Sequence, residues 1–106
     1  MGYAALGAQT TGTQNTAVGA LSMDATTTGN YNTAVGYNSL GALTTGQLNV
    51  AIGIQAGGGI VDTDRSVFVG YLAGAANTSQ QTVGVGSQAL AANTTGTLNT
   101  AVGYAG

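Results

Sequence analysis

The stretch Asn32-Thr33-Ala34-Val35-Gly36 decides the fold, because the chain repeats it at a nearly constant interval. The same five residues fill 15–19 and 99–103, and variants of them fill 49–53, 66–70 and 82–86. Their final glycines recur at every seventeenth position, except for one step that is shorter by a single residue. These repeat glycines are Gly2, Gly19, Gly36, Gly53, Gly70, Gly86 and Gly103. A short fixed period predicts a stack of equivalent coils.

A second phrase, Thr-Thr-Gly, keeps the same register and ends ten residues after the repeat glycine. It fills 10–12, 27–29, 44–46 and 94–96. A large apolar residue follows the repeat glycine by four positions in four coils, at Leu6, Met23, Leu40 and Leu90. Gly57 and Gly74 take that place in two other coils. Alignment of the repeats places the missing residue of the short coil between Gln80 and Thr82.

This period favours an all-β fold. Seventeen residues are too few for a helical hairpin repeat, whose period is about 33 residues or more. They fit one coil of a parallel β-solenoid, or β-roll, with two short strands and two corners. The corners would lie at the repeat glycine and at Thr-Thr-Gly, where a positive φ favours glycine. We expect residues 1–106 to form a single repeat domain of about six coils, roughly 29 Å long at the spacing of β-strands.

The strand phrase alternates with period two, so its residues point to opposite faces of the strand. One set, exemplified by Thr33 and Val35, is rich in β-branched side chains, which suit a strand interior. The other set contains Ala34 and, in later coils, Phe68 and Gly84. We expect the β-branched set to face the interior and the other set to face outward.

Two files of polar or aromatic residues have a structural and a ligand-binding interpretation. Asparagine precedes the strand at Asn15, Asn32, Asn49 and Asn99. This pattern predicts an asparagine ladder, with each amide bonded to its equivalent one coil on, and the alternative is a row that reads a ligand. Tyrosine follows the repeat glycine at Tyr3, Tyr37, Tyr71 and Tyr104. These side chains would lie about 10 Å apart, and we expect them to pack between chains or coils rather than stack on glycans.

The strand phrases resemble two kinds of fibrous protein. Asn49-Val50-Ala51-Ile52-Gly53 is similar to the strand of head repeats in trimeric autotransporter adhesins. The longer phrase from Asn32 to Leu40, followed by Thr44-Thr45-Gly46, resembles repeats of phage and large-virus tail-fibre proteins. The adhesin resemblance implies a left-handed parallel β-roll in a side-by-side homotrimer. The adhesin head repeat is shorter than the repeat of this chain, so the second corner here must be longer.

The composition excludes most chemistry. The chain has no His and no Cys, and its only charged residues are Asp24, Asp62, Asp64 and Arg65. We therefore expect no enzyme, no catalytic residue, no cofactor and no metal site, and we interpret Asp62 to Arg65 as a solvated turn rather than a cation site. One basic residue cannot neutralise a nucleic-acid backbone or bind an anionic membrane surface, and no apolar run is long enough to span a membrane.

These observations indicate a structural repeat segment of an extracellular or viral tail fibre or adhesin that supports or presents host-surface binding. We expect it at a cell surface, on a virion or otherwise outside the cell, with itself as partner and a host-surface glycan or receptor as a second candidate partner. A small interior favours oligomerisation, with Leu40, Phe68 and Leu90 buried against sister chains. The alternatives are a self-assembling filament or functional amyloid, and an ice-binding or glycan-binding β-solenoid. The ice-binding alternative is weakened if Thr16, Thr33 and Thr100 face inward.

The repeats also predict that the structure continues beyond its two ends. Gly2 and Gly103 occupy the same place in the coil, and neither end shows an atypical capping unit. We expect each coil edge to be covered by further repeats or by another copy stacked head to tail.

Overall fold

The computed structural model describes residues 2–105, which form a parallel β-solenoid of about five turns with no helix in that range. Its six strands are β1 (Thr16–Val18), β2 (Thr33–Val35), β3 (Val50–Ile52), β4 (Val67–Val69), β5 (Val83–Val85) and β6 (Thr100–Val102). They lie in chain order in one parallel sheet, and the molecule measures 34 × 21 × 16 Å. The all-β solenoid predicted from the repeat is confirmed.

The strand register follows the period of the sequence. Thr33 of β2 pairs with Thr16 of β1 and with Val50 of β3, each one full repeat away. The shortened coil keeps the register, since Val67 pairs with Val83. The amide of Gln81 donates to the Asp64 carbonyl, as the amide of Arg65 donates to the Gln47 carbonyl one coil earlier. Gln81 is therefore the equivalent of Arg65, and the residue is lost just before Gln81.

The expectation of two strands per coil is wrong for the part of the chain that the structure describes. The side opposite the sheet consists of turns, in which residues two and four positions after the repeat glycine have a left-handed backbone. Asn38 and Leu40 are examples, with φ of 56° and 50°. Each left-handed residue costs about 1 kcal/mol or more. The Asn38 amide donates to the Ala20 carbonyl (3.0 Å) and the Leu40 amide to the Ala56 carbonyl (3.0 Å), and such bonds between coils offset the strain.

The two kinds of corner glycine are required for different reasons. The repeat glycines from Gly19 onward have φ between 119° and 135°, a region that favours glycine, as expected. The glycine of Thr-Thr-Gly is not in that region, so the expectation of a positive φ is wrong there. A Cβ on Gly29 would instead overlap the carbonyl oxygen of Gly46 in the next coil. Glycine at this corner allows the close approach of two backbones.

The predicted inside and outside of the strand are reversed. The central strand residues face the interior, and Ala34 and Phe68 are fully buried. The β-branched residues on either side face outward, and Val18 and Ile52 are 43% and 41% exposed. The interior is narrow because the turns opposite place Leu40 directly inside it, so most coils accommodate only alanine at the strand centre. A preference for β-branched residues in strands does not determine which face they occupy.

Phe68 shows how a larger side chain in a strand is accompanied by smaller residues in the turns that it contacts. It replaces the alanine of other coils and is the largest fully buried side chain among the described residues, with Met23, Leu40 and Leu43 next. The place four residues after the repeat glycine, which is a large apolar residue in other coils, is Gly57 in the coil that contains Phe68 and Gly74 in the following coil. A Cβ on Gly57 would lie 3.3 Å from the Phe68 ring, and a Cβ on Gly74 would overlap that ring. Phe68 and Leu40 are therefore buried within their own chain, contrary to the expectation that they pack against sister chains.

This exchange predicts a strong coupling between three positions. Phe68→Ala should lower the free energy of unfolding by roughly 3–5 kcal/mol, since it leaves a large cavity. Adding Gly57→Leu and Gly74→Leu should recover part of that loss, because Leu40 and Leu90 already adopt the required left-handed backbone. The recovery should be incomplete, because a Cβ on Gly57 also lies 2.9 Å from Leu40 Cδ2, which must shift. Chemical denaturation of the single and triple variants measures the effect.

The control carries the two leucines beside the native Phe68. It should be destabilised by about 1–3 kcal/mol through overpacking. If the triple variant is no more stable than Phe68→Ala alone, the proposed volume exchange is wrong.

Candidate functional site

The asparagine ladder predicted from the sequence is present at Asn15, Asn32 and Asn49, whereas the Asn99 side chain donates to Asn93 at 3.3 Å instead. The Asn32 side-chain oxygen accepts hydrogen bonds from the Asn49 amide nitrogen (3.0 Å) and from the Asn49 side-chain nitrogen (3.1 Å). Asn15 accepts the same pair from Asn32 at 2.9 and 3.3 Å. The Asn49 side chain also donates to the Thr63 carbonyl at 2.7 Å. Asn32 and Asn49 are fully buried, so these amides bind the protein itself and are not offered to a ligand.

Hydroxyl side chains continue this ladder where asparagine is absent. Ser66 takes the next place, and its backbone amide donates to the Asn49 side-chain oxygen at 2.9 Å. Thr82 follows, and its amide and hydroxyl both lie 3.3 Å from the Ser66 hydroxyl. The file therefore satisfies buried polar groups over successive coils even where the residue type changes.

The Thr-Thr-Gly corners form a second ladder. The amides of Thr10, Thr11 and Gly12 all donate to the Thr27 carbonyl, at 3.0 to 3.2 Å. The Thr10 hydroxyl donates to the same oxygen at 3.2 Å. The amides of 27–29 converge in the same way on the Thr44 carbonyl. The first threonine of each of these phrases is therefore engaged in coil stacking.

One carboxylate of the segment from Asp62 to Arg65 has a structural role. The Asp64 carboxylate accepts a hydrogen bond from the Gln47 amide at 2.9 Å, in the place where Asn30 accepts one from the Thr13 amide at 2.7 Å. Within residues 2–105 no group of three or more acidic, His or Cys residues could hold a metal ion. The one buried side-chain polar atom without a partner in that range is the Thr63 hydroxyl.

The outward side of the strands is the most distinctive surface. We call it the outer strand face and define it by two files of strand residues. The first file is Thr16, Thr33, Val50, Val67, Val83 and Thr100, and the second is Val18, Val35, Ile52, Val69, Val85 and Val102. Every member is exposed or partly exposed. Because the strands are parallel and in register, each file is a straight row with about 4.8 Å between neighbours.

Exposed large apolar residues concentrate on this face and at its two margins. One margin lies two residues before each strand and includes Tyr31, Leu48 and Leu98, and the other lies two residues after it and includes Tyr37 and Tyr71. Tyr3 occupies the same place in its coil as Tyr37 and is counted with that margin. Eleven of the twelve exposed large apolar residues in the described range then belong to the face or its margins. All five tyrosines are among them.

Thr16, Thr33 and Thr100 face outward. The argument against an ice-binding surface, which depended on an inward direction of these threonines, therefore does not hold. These threonines form part of one file, whereas the second file contains only Val and Ile. The two files therefore differ in their hydrogen-bonding capacity. The face offers methyl groups along its whole length and hydroxyl groups at three coils.

Other surface features offer little chemistry. A cavity of about 510 Å³ lies beside the shortened turn and is lined by Thr and Gln side chains together with Ser79 and Leu98. Another, of about 180 Å³, lies beside Gly58 and Gly59 and is lined by Asn38, Gln55 and two apolar residues. Hydroxyl and amide groups in these cavities can form hydrogen bonds but supply neither a general base nor an activated nucleophile. Across residues 2–105, no helix has the length and apolar character that a membrane span requires.

The asparagine ladder predicts a pH-dependent defect. Asn49→Asp should lower the free energy of unfolding by several kcal/mol at neutral pH, because a buried carboxylate would face the Thr63 carbonyl and the Asn32 side-chain oxygen. Burial and these acceptors raise the pKa of the new carboxyl in the folded state above its value in the unfolded chain. Stability should therefore be recovered at pH below the unfolded pKa and lost as the pH rises through the folded pKa.

Thermal melts between pH 3 and pH 8 measure this effect. Asn30→Asp is the matched control, since Asp64 already holds the equivalent place two coils later, and it should change stability little at neutral pH. Equal melting temperatures for the two variants at pH 7 would contradict the ladder's structural role.

No protein-family model, curated protein or solved structure matches the chain. The functional assignment therefore rests on the sequence and geometry described above.

Proposed function

We propose that this chain is a structural repeat segment of an extracellular or viral fibre, where it supports or presents a surface that binds the host. In this role it acts as a rod whose copies associate side by side. A homotrimer and a left-handed coil follow from the resemblance to adhesin heads and tail fibres. The site of action is the cell surface, the virion or the extracellular space.

The observation that carries the proposal is the continuity of hydrogen bonds along the rod. Adjacent coils are joined at the strand, and the corner and asparagine ladders add bonds over long stretches. These bonds connect residues 14 to 17 positions apart, so each coil is held by its immediate neighbours. A load along the axis is shared by several parallel bonds per coil. This construction suits a spacer whose length is set by the number of repeats.

The side-chain inventory supports the same role. With no His, no Cys and four charged residues, the chain carries few groups that catalysis or metal binding uses. Its buried polar groups, among them Asn32, Asn49 and Thr26, bond to neighbouring coils. The polar residues thus serve assembly of the rod.

Rod length should increase by one strand spacing for each added coil. Five extra copies of residues 20–36, inserted after Gly36, should lengthen the molecule by about 24 Å without loss of cooperative unfolding. Small-angle scattering gives the maximum dimension. In the control, each copy carries one additional alanine after Ala34, which moves the following strand residues to the opposite face. This control should lose cooperative unfolding. If the regular insertion gives a compact particle with no increase in its maximum dimension, the proposed rod architecture is wrong.

The biological assignment is tested by locating the native protein. Antibodies raised against the folded chain should label fibres on the surface of the cells or virus particles that encode it, in immuno-electron microscopy. Label confined to the cell interior, with none on fibres or particle surfaces, would reject the proposal. Antibodies against a coil variant that does not fold serve as the control for specificity.

A further inference from the structure

The outer strand face presents an uncovered parallel sheet. In α/β proteins the crossover helices cover both faces of a parallel sheet, whereas the strands of this chain are connected by turns alone. Here the inner face is covered by the chain's own turns, with Met23 and Leu40 fully buried against it. The outer face carries Val and Ile with exposed fractions of 41% or more at Val18, Ile52 and Val102. The described residues leave this face exposed or partly exposed, so it is available to a partner.

The outer strand face together with its margins occupies one side of the rod, and a side of the rod has the size of a protein interface. The sides of the rod measure 34 × 16 Å and 34 × 21 Å, about 540 and 710 Å². A standard interface buries roughly 800 Å² per partner, and isolated apolar patches on monomers are about 300–600 Å². A whole side of the rod is therefore close to the area that a stable interface needs. The outer strand face is the central part of one side, because its strands are only three residues long, so an interface of standard size must also include the margins.

The chemistry of the face favours association. Its two files contain no charged residue, so burying them removes no ion from water. Val, Ile and Thr have stiff side chains that lose little rotamer freedom on burial. The tyrosines at the margins, such as Tyr37 and Tyr71, are of the type enriched at protein interfaces. Arg65 at one margin is the single basic residue of the chain, so the margins are nearly uncharged as well.

The regularity of the face identifies the partner. Neighbouring residues of each file lie one strand spacing apart. A partner that contacts every strand in the same way must have the same period and a similarly flat, uncharged surface. A second copy of this chain has both properties, and cyclic association of identical chains is the usual form of a closed oligomer. We infer that the outer strand face is the surface through which copies of this chain associate side by side, with Val35, Ile52 and Val69 at its centre. This inference rests on the proposed fibre function and names the contact that the function requires.

The test is the mass in solution by light scattering, together with circular dichroism to verify the fold. The native assembly should have a mass that is a multiple of the 10.2 kDa of one chain, and three times that mass for the proposed homotrimer. Val35→Lys combined with Val69→Lys should give a folded chain of 10.2 kDa, because the charges would be buried between copies. Thr11→Lys combined with Thr45→Lys is the matched control, since these exposed residues are also two full repeats apart, and it should keep the native mass.

A second measurement keeps the test decisive if the lysine variant unfolds. The chain has no cysteine, so Ile52→Cys introduces a single thiol on the face and Thr45→Cys a single thiol at the corner. In the assembly, a maleimide reagent should modify position 52 at least tenfold more slowly than position 45. Dilution below the association range should make the two rates similar.

The outcomes separate the inference from the proposed function. An oligomer in which position 52 reacts as fast as position 45, and which the lysine pair does not dissociate, overturns the inference and leaves the fibre function standing. A chain that stays monomeric at high concentration overturns the inference and the proposed association of copies. A monomer that binds an extended polysaccharide, and loses that binding with Tyr71→Ala, would assign the margin to glycan recognition instead.

Discussion

Each coil lies one strand spacing from the next, and this separation of about 4.8 Å constrains every other feature of the molecule. At that distance a side chain meets its equivalent in the neighbouring coil. Asparagine is suited to this contact because its amide both donates and accepts, and Asn49 bonds to Asn32 in this way while also donating to a backbone carbonyl. The same proximity explains the glycine at 12, 29 and 46, where a Cβ would overlap the carbonyl oxygen of the next coil.

Departures from the repeat occur in combinations that preserve the spacing. Phe68 adds volume at the strand centre, and Gly57 and Gly74 stand in the adjoining turns where four other coils have a large apolar residue. Thr63 takes the corner place that glycine holds at Gly46, in the coil that precedes the turn shortened by one residue. Because each coil contacts only its neighbours, such an exchange affects at most two or three coils.

The sequence predicts the features that depend on period and misassigns those that depend on shape. The constant interval correctly predicts the solenoid, the strand positions, the left-handed repeat glycines and the asparagine ladder. It does not predict that the second side of the coil consists of turns, since left-handed Leu40 and Leu72 have no preference for that backbone. The tight interior also reverses the strand faces. The substitution of Gly57 and Gly74 near Phe68 is the signal in the sequence that could have identified the inward face.

The reversed faces also change the meaning of the strand composition. With alanine inside in four of the six strands and Val, Ile or Thr outside, neither face of the sheet is charged. Except at Phe68, the larger strand side chains are on the side that residues 2–105 leave uncovered. A narrow interior limits how much apolar area one chain buries, while the left-handed turns add strain in every coil. Contacts along the axis connect only adjacent coils, so the opening of one coil is opposed by its two neighbours alone. Lateral cover of the outer strand face would contact all the strands at once, and would thereby make the opening of one coil depend on the others.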